Sequence, residues 1–272
     1  MRTLQTVARS ILRPSQWLIP PRPPGTLTIL AYHLVGGGTS SPVDLEPQEF
    51  ESHLATISEV TCALSWREGR QVLDDPRREA YKRPAVCVTF DDAYDNFRTR
   101  ALPLLEVHQV PVLLYVPVGF ILGEPAADPL AGAEHLGALT VDDLRELSSH
   151  PLIRIGAHSW THRDLRRVSA TDLSRELEDA RDQLEQWTGK EVEDFCYPRA
   201  LWDAALESRV RDTYATATIG GGRSNDSTTD LLRLQRVSIR RGTEHLAPLL
   251  RSPLCIEEAL ADWFRRRRRT AQ

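Results

Sequence analysis

The chain has 272 residues, of which 41% are hydrophobic, enough for one large domain with a full core. Its formal net charge of -4 excludes a general electrostatic attraction to nucleic acid, so we expect no nucleic-acid partner. No apolar run approaches the roughly 20 residues that cross a bilayer, and residues 1–25 lack the unbroken apolar stretch of a secretory signal. These features predict a soluble, cytoplasmic protein.

Residues 1–25 are predicted to form an N-terminal extension. It ends in the sequence Pro-Pro-Arg-Pro-Pro-Gly at positions 20–25, which is typical of a stiff, extended connector. Four cysteines lie far apart in the chain without metal-binding or redox spacing, and they are expected to be reduced thiols, some of them buried.

After the connector, apolar runs alternate with amphipathic helical patterns. The predicted strands cover 27–32, 85–90, 111–118, 153–157, 194–197, 214–219 and 232–239. The predicted helices cover 47–60, 97–108, a segment that begins at Thr140, 169–188, 202–212 and 255–269. Apolar strands that alternate with helices are typical of a mostly parallel sheet buried on both faces. About seven such strands favour a closed or nearly closed barrel over an open sheet.

Residues with reactive side chains follow several of the predicted strands. His33 comes after the first strand, the pair Asp91-Asp92 after the second, His158 after the fourth and Arg199 after the fifth. Ligands bind at the C-terminal ends of parallel strands, so we expect these residues to meet at one rim.

Asp92, His158 and His162 are the predicted metal ligands. Two imidazoles and one carboxylate leave coordination positions open for water and substrate, and the adjacent Asp91 is suited to accept a proton from that water. Surface histidines and a solvated aspartate turn are the alternative interpretation. Against it, two carboxylates at the end of a buried strand are costly unless a cation compensates them, and a divalent metal is the expected compensation.

Three short segments resemble the NodB-type polysaccharide deacetylases, carbohydrate esterase family 4. They are TFDD at 89–92, HSWTH at 158–162 and FCYPR at 195–199. The sequence departs from the family pattern at Ala93, where glycine is usual, and at Arg199, where an aromatic residue is usual. The resemblance implies a distorted (β/α) barrel over roughly 26–242, with C-terminal helices and a basic tail at 243–272.

The resemblance also implies roles for individual residues. Asp91 would be the general base, and Asp92, His158 and His162 would bind a divalent metal, with zinc the first candidate. The backbone amide of Arg199 would help to stabilise the oxyanion, unless its side chain orients Asp91 or contacts substrate. The implied reaction is removal of acetyl groups from an N-acetylated sugar or glycan by attack of a metal-bound water.

His33 is assigned as the general acid. The sequence ILAYHLV at 29–35 is similar to the N-terminal strand of the poly-N-acetylglucosamine deacetylases, a permuted subgroup whose acid histidine follows the first strand. The late histidine, His245, fits the usual C-terminal motif of the family poorly. Without the resemblance, a core histidine bonded to backbone would be the simpler interpretation of His33.

The sequence indicates the substrate and partners less specifically than the metal site. Tyr94, Trp160 and Trp202 could stack on sugar rings or pack the barrel, and Trp202 is taken as a substrate contact. Five arginines at 265–269 follow two aromatic residues, which suits either a solvated helix end, the favoured interpretation, or weak contact with an anionic membrane surface. Polymeric and precursor-linked N-acetylated glycans all remain candidate substrates.

Two other functions fit part of the pattern. Two histidines and one carboxylate also suit a non-haem iron enzyme, although the neighbouring Asp91 and the parallel α/β pattern argue against it. A glycan-binding homologue without activity would explain Arg199 and the missing C-terminal histidine, whereas the complete ligand set argues against it.

Overall fold

The computed structural model describes residues 23–74, 83–124, 130–243 and 246–255. The strands in chain order are β1 (Leu27–Tyr32), β2 (Leu34–Val35), β3 (Asp44–Leu45), β4 (Cys62–Ala63), β5 (Ala85–Phe90), β6 (Val112–Val116), β7 (Ile153–Ala157), β8 (Asp194–Cys196), β9 (Thr216–Gly220) and β10 (Leu234–Ser238). The helices are α1 (Pro47–Val60), α2 (Trp66–Asp74), α3 (Leu102–His108), α4 (Val118–Ile121), α5 (Val141–Ser149), α6 (Ala170–Ser174), α7 (Ala180–Thr188), α8 (Ala204–Thr213) and α9 (Leu246–Arg251).

Seven strands close into a parallel barrel. Their order around the ring is β1-β10-β9-β8-β7-β6-β5, and β5 pairs back to β1 over the full length of both strands, from Leu27 opposite Ala85 to Tyr32 opposite Phe90. The short strand β4 adds to β5, and β2 pairs with β3 in a separate sheet above the barrel's C-terminal end. The predicted (β/α) barrel of about seven mostly parallel strands is confirmed.

Alternate residues of the strands face two different layers. In β1, Leu27 and Ile29 pack inside the ring with residues such as Leu113 of β6, and helix α2 contributes Trp66 to the same cluster. Leu30 and Tyr32 belong to the larger outer cluster, which includes the buried face of α1. Because both faces are covered, the strands read as continuous apolar runs in the sequence.

Several predicted elements match the structure closely. The strands at 27–32, 85–90 and 153–157 and the helix at 47–60 have the predicted bounds. Thr140 forms the predicted capping box with Asp143 at the start of α5. The later strands are shorter than predicted, and β2, β3, β4, α2 and α4 were not predicted. Helix α9 lies within 243–272, where C-terminal helices were predicted.

Two predicted helices contain π-helical turns. The helix predicted over 97–108 begins with a π turn at Phe97–Ala101, so Pro103 falls in the first turn of α3, where its missing N–H costs nothing. The helix predicted over 169–188 is interrupted by a π turn at Arg175–Asp179 and ends at Gly189, whose φ of 65° suits glycine.

The ends of the chain lie largely outside the described residues. The N-terminal extension is described only from residue 23, and the predicted helix at 255–269, with the arginine run 265–269, is described only at Cys255. In the described segments, no helix has the length and apolar character needed to span a bilayer. None of the four cysteines, all of which are described, forms a disulfide, and Cys87 and Cys196 are buried.

Candidate active site

The C-terminal ends of the barrel strands open onto a cavity of about 390 Å³. His33 follows β1, Asp91 and Asp92 follow β5, and His158 follows β7. Among the described residues, the cavity lining includes every predicted site residue except Trp202. The fold therefore brings together residues that are far apart in the sequence, as the strand-end argument predicts.

Strained backbone is concentrated around this cavity. Six of the seven described non-glycine residues with positive φ lie in or next to the three motifs: Asp92, Ala93, Ser159, His162, Arg199 and Ala200. A left-handed conformation costs a residue with a Cβ about 1–2 kcal/mol, and such strain persists mainly at functional sites. Ala93 has a φ of 54°, which explains why glycine is usual at this position of the motif.

Asp92, His158 and His162 converge on one point. Oδ1 of Asp92 lies 3.7 Å from Nε2 of His158 and 3.6 Å from Nε2 of His162. Ligand atoms bound tetrahedrally to zinc at about 2.1 Å are about 3.4 Å apart, so these separations fit one divalent ion with little rearrangement. A site with these three protein ligands retains open positions for water and substrate.

Hydrogen bonds fix the ring of His158 and the backbone of His162. Nδ1 of His158 lies 2.8 Å from the carbonyl oxygen of Cys196 and donates to it, which directs Nε2 towards Asp92. The backbone N–H of His162 donates to Oγ of Ser159 at 3.0 Å. Burial and the charge of the neighbouring His158 lower the pKa of His162 to about 4. Burial also lowers the pKa of His158, but Cys196, Asp91 and Asp92 outweigh burial and raise it to about 10, so a metal ion that binds Nε2 of His158 must displace a proton.

Asp91 is bound by an arginine that the sequence analysis missed. Arg236, in β10, donates from Nη1 to Oδ1 at 2.6 Å and from Nη2 to Oδ2 at 2.7 Å, and both side chains are buried. Burial alone would raise the pKa of Asp91, but the charge of Arg236 and its hydrogen bonds outweigh burial and hold the pKa below the usual carboxyl range. Asp91 is therefore ionised at neutral pH.

This pairing corrects one expectation. A metal was expected to compensate both carboxylates, whereas Arg236 compensates Asp91, and only Asp92 belongs to the ligand set with the two histidines. The sequence did contain a signal for this arrangement. Arg236 lies within a run predicted as a buried strand, where a cation requires an anionic partner.

A second group of ligand-type side chains shares this region. Asp91, His158 and Cys196 also approach one another closely enough to bind an ion. However, Nη2 of Arg236 donates to Sγ of Cys196 at 2.9 Å as well as to Asp91. A fixed positive charge at this position opposes a cation, so the group that contains Asp92 is the better candidate metal centre.

His33 lies beside Asp91 at the mouth of β1. Its Nε2 is 3.6 Å from Oδ2 of Asp91, and its Nδ1 has no hydrogen-bond partner among the described residues. A histidine bonded to backbone does not fit this geometry. Burial lowers the pKa of His33 more than Asp91 and Asp92 raise it, so the ring is neutral at pH 7.

The remaining predicted residues differ in placement. Arg199 lines the cavity, with a φ of 54° and an exposed side chain. Trp202 packs against the core with the guanidinium of Arg233 5.3 Å from its ring centre, outside the described cavity lining. Trp160 lies under Arg175, and Tyr94 is buried against Phe120. No described lining residue is Phe, Tyr or Trp.

One wall of the cavity is formed by residues 41–43, in the loop before β3. The buried carboxylate of Asp44 holds this loop: Oδ1 accepts from the N–H of Gly37 at 3.0 Å and Oδ2 from the N–H of Thr39 at 2.7 Å. Arg241, just after β10, donates from Nε to the carbonyl oxygen of Asp44 at 3.0 Å. Segments from both ends of the barrel domain therefore fix this wall.

Comparison with known families agrees with these features. The family model described as polysaccharide deacetylase matches residues 78–217, a little over half of the chain. The chain belongs to the polysaccharide deacetylase family. The matched span contains the Asp91-Asp92 pair and both histidine ligands, but neither His33 nor Arg236. The roles of those two residues therefore depend on geometry and on the resemblance to the permuted subgroup.

A curated relative supports the same family. The poly-β-1,6-N-acetyl-D-glucosamine N-deacetylase of Escherichia coli K12 is 34% identical over 82 residues, which make up 28% of this chain and 12% of that protein. The chain thus aligns with only a small part of this relative's length.

Solved structures share the fold. A polysaccharide deacetylase from Bacillus cereus superposes with a TM-score of 0.67 at 20% identity, covering 82% of this chain and 69% of that one. The deacetylase PplD of Streptococcus pyogenes, solved in complex with acetate, gives a TM-score of 0.67 at 19% identity and covers 89% of this chain and 98% of that one. These deacetylases have the same barrel architecture as the family member described here.

Proposed function

We propose that this chain is a metal-dependent hydrolase that removes acetyl groups from an N-acetylated sugar or glycan and releases acetate and a free amine. One observation carries the proposal: Asp91 is held ionised beside the place where Asp92, His158 and His162 would bind a divalent ion. Membership of the polysaccharide deacetylase family supports the reaction class.

Zinc is the proposed metal because of the family resemblance, and the same ligand set would also accept iron(II). When bound, the ion would polarise the acetyl carbonyl and lower the pKa of water. Asp92, His158 and His162 would hold it through one carboxylate oxygen and two Nε2 atoms, with the Cys196 carbonyl keeping His158 in the required orientation.

Asp91 would accept a proton from the attacking water. The two parallel hydrogen bonds from Arg236 fix the plane of this carboxylate and keep it ionised. A base with a fixed orientation needs little reorganisation during the reaction.

His33 would deliver a proton to the departing amine. Because its ring is neutral at pH 7, it must gain that proton during the cycle, and Oδ2 of Asp91 is 3.6 Å from its Nε2. We therefore propose that the proton taken up by Asp91 passes to His33 and then to the amine. This route makes both residues necessary for cleavage of an amide.

The substrate would be an N-acetylhexosamine unit. A cavity of about 390 Å³ is within the size range of small-ligand pockets, about 300–1,000 Å³, and suits one sugar residue with its acetamido group. The name of the E. coli relative supports N-acetylglucosamine. The backbone amide of Arg199 is proposed to stabilise the oxyanion, and Trp202 to contact a sugar outside the cavity.

The test is acetate release from a panel of substrates by metal-loaded protein. The panel contains β-1,4- and β-1,6-linked N-acetylglucosamine oligomers and peptidoglycan fragments, with Asp91→Asn as the matched control. We expect release from at least one oligomer and a loss of about 10²–10⁴-fold in the variant. Stoichiometric zinc binding without acetate release from any substrate would instead indicate an inactive glycan-binding homologue.

A further inference from the structure

The loop that carries the two histidine ligands is held by a buried glutamate outside all three motifs. Oε2 of Glu176 accepts hydrogen bonds from two consecutive backbone N–H groups, those of Trp160 at 2.9 Å and Thr161 at 2.8 Å. Its Oε1 accepts from Oγ1 of Thr161 at 2.6 Å, and Nε of Arg163 lies 3.1 Å from the same oxygen. These bonds fix the peptide units that lie between His158 and His162.

Glu176 is buried, so its carboxylate depends on hydrogen bonds within the protein. Its side chain is 1% exposed, and a buried carboxylate is stable only when its oxygens are satisfied. Among the described groups that contact it, only Arg163 carries a positive charge, and that side chain is 42% exposed. The two backbone N–H groups and the threonine hydroxyl therefore provide most of the compensation.

The loop needs such support because its backbone is strained. Ser159 and His162 have φ values of 63° and 59°, in the left-handed region. Residues in this conformation persist when surrounding contacts over-determine the geometry. Glu176 supplies those contacts for the two residues between the strained positions.

Glu176 lies in a π-helical turn. The turn at Arg175–Asp179 interrupts the helix between α6 and α7, and its buried residues are Glu176 and Leu177. Such turns are frequent at functional sites. Glu176 therefore lies on the buried side of this turn, where a carboxylate needs hydrogen-bond donors.

We propose that Glu176 is a positioning residue for the metal centre, which holds His158 and His162 at the separation that a divalent ion requires. The inference rests on the proposed function only in that it assumes the same three metal ligands. It predicts the affinity of the protein for a divalent ion and not its rate of deacetylation. Residues that orient metal ligands indirectly typically contribute about 10–100-fold to metal affinity.

The test is zinc affinity of the full chain, measured by competition with a chromogenic chelator. Glu176→Gln keeps the size of the side chain but places an NH₂ group against N–H donors. We expect its zinc dissociation constant to rise about 10–100-fold. The matched control is Glu178→Gln in the same π turn, because Glu178 contacts Arg209 and Thr213 instead of the ligand loop. Its affinity should stay close to that of the wild type.

Thr161→Val provides a milder second variant in case Glu176→Gln does not fold. It removes the hydroxyl bond to Oε1 and the bond that Oγ1 accepts from Nε of Arg163, and it keeps both backbone bonds to Oε2. It should therefore weaken zinc binding by a smaller factor, and a thermal melt of the metal-free protein measures its folded fraction. Wild-type affinity in folded Glu176→Gln would overturn the proposal, as would an equal loss in Glu178→Gln. If Glu176→Gln does not fold, wild-type affinity in Thr161→Val would overturn it. Tight zinc binding by a wild type that releases no acetate would refute the proposed function and leave this inference intact.

Discussion

Two aspartate–arginine pairs, each with a buried aspartate, lie at opposite ends of the barrel. At the N-terminal end, Asp194 of β8 accepts from Nε of Arg154 at 2.5 Å, from Nε1 of Trp66 at 2.8 Å and from Oγ1 of Thr216 at 2.7 Å. Helix α2 covers this end, and Asp194 is fully buried. The buried polar side-chain atoms of these residues all have hydrogen-bond partners.

The pair at the C-terminal end is less completely satisfied. Asp91 and Arg236 face the cavity, and Nε of Arg236 and Nδ1 of His33 have no hydrogen-bond partner in the described part of the chain. Six of the seven described non-glycine residues with positive φ are found at this end as well. A buried ion pair therefore does not identify a functional site, whereas unused hydrogen-bonding capacity beside an open cavity does.

The largest expected effect is a loss of activity on substitution of Asp91, which is not expected for Asp194. Asp91→Asn removes the proposed base and should reduce acetate release about 10²–10⁴-fold per folded molecule. Circular dichroism and a thermal melt measure the folded fraction, because Arg236 loses its counter-charge in this variant. A folded Asp91→Asn protein with more than a tenth of the wild-type rate would show that Asp91 is not the base.

The next effect is a loss of stability on substitution of Asp194, at the N-terminal end. Asp194→Asn leaves the N–H of Trp66 and the O–H of Thr216 facing a neutral amide, whereas Arg154 stays accessible to solvent. The free energy of unfolding should fall by about 3 kcal/mol, since two buried hydrogen bonds to a charged group are weakened. Denaturant titration measures this loss. The rate per folded molecule should stay within a few-fold of the wild type, and inactivity equal to that of Asp91→Asn would remove the distinction between the two ends.

A smaller effect isolates one bond at the N-terminal end. Trp66→Phe retains most of the apolar contact of α2 but removes the N–H bond to Asp194. A hydrogen bond to a charged group contributes about 1.5–3 kcal/mol, so a loss of that size in the free energy of unfolding is expected. An unchanged denaturation midpoint would mean that Arg154 and Thr216 alone satisfy Asp194.

The smallest effect concerns an aspartate–arginine pair near the surface, Asp143 with Arg98 at the start of α5. Burial raises the pKa of Asp143, but hydrogen bonds from Thr140 and the charge of Arg98 outweigh burial and lower it. A lowered folded-state pKa stabilises the protein above the unfolded pKa of about 3.9, and the gain disappears as pH falls through the folded value.

Asp143→Asn should therefore lower the free energy of unfolding by only about 0.5 kcal/mol at pH 7, because solvent screens this pair. The difference from the wild type should shrink as the pH falls below about 4. Denaturant titrations at several pH values measure it, and a difference that grows with acidity would contradict the assigned direction of the pKa shift.

The sequence was sufficient to predict the barrel and the convergence of Asp92, His158 and His162, a group that could bind a metal. Strands such as 85–90 are apolar on both faces, and the strand-end rule brought Asp92 and His158 together despite their separation in the chain. Both predictions depend on patterns within short segments, namely apolar strands and the polar residues that directly follow them. The cap at Thr140 was predictable for the same reason.

The residues that escaped prediction act through long-range contacts. Arg236 contacts Asp91 across 145 positions of sequence, and no periodicity connects the two residues. Glu176 binds backbone N–H groups 15 and 16 positions earlier in the chain, and no local pattern indicates that contact. Trp202 follows a motif in sequence, yet packing against Arg233 takes its ring away from the described cavity lining.

The central claim is that Asp92, His158 and His162 bind the ion on which deacetylation depends. The most direct measurement is a zinc titration of metal-stripped protein, with bound metal and acetate release determined in the same samples. The account predicts that activity rises in proportion to bound zinc up to one ion per chain, and that Asp92→Ala abolishes both. Full activity in the stripped protein, or in Asp92→Ala, would contradict it.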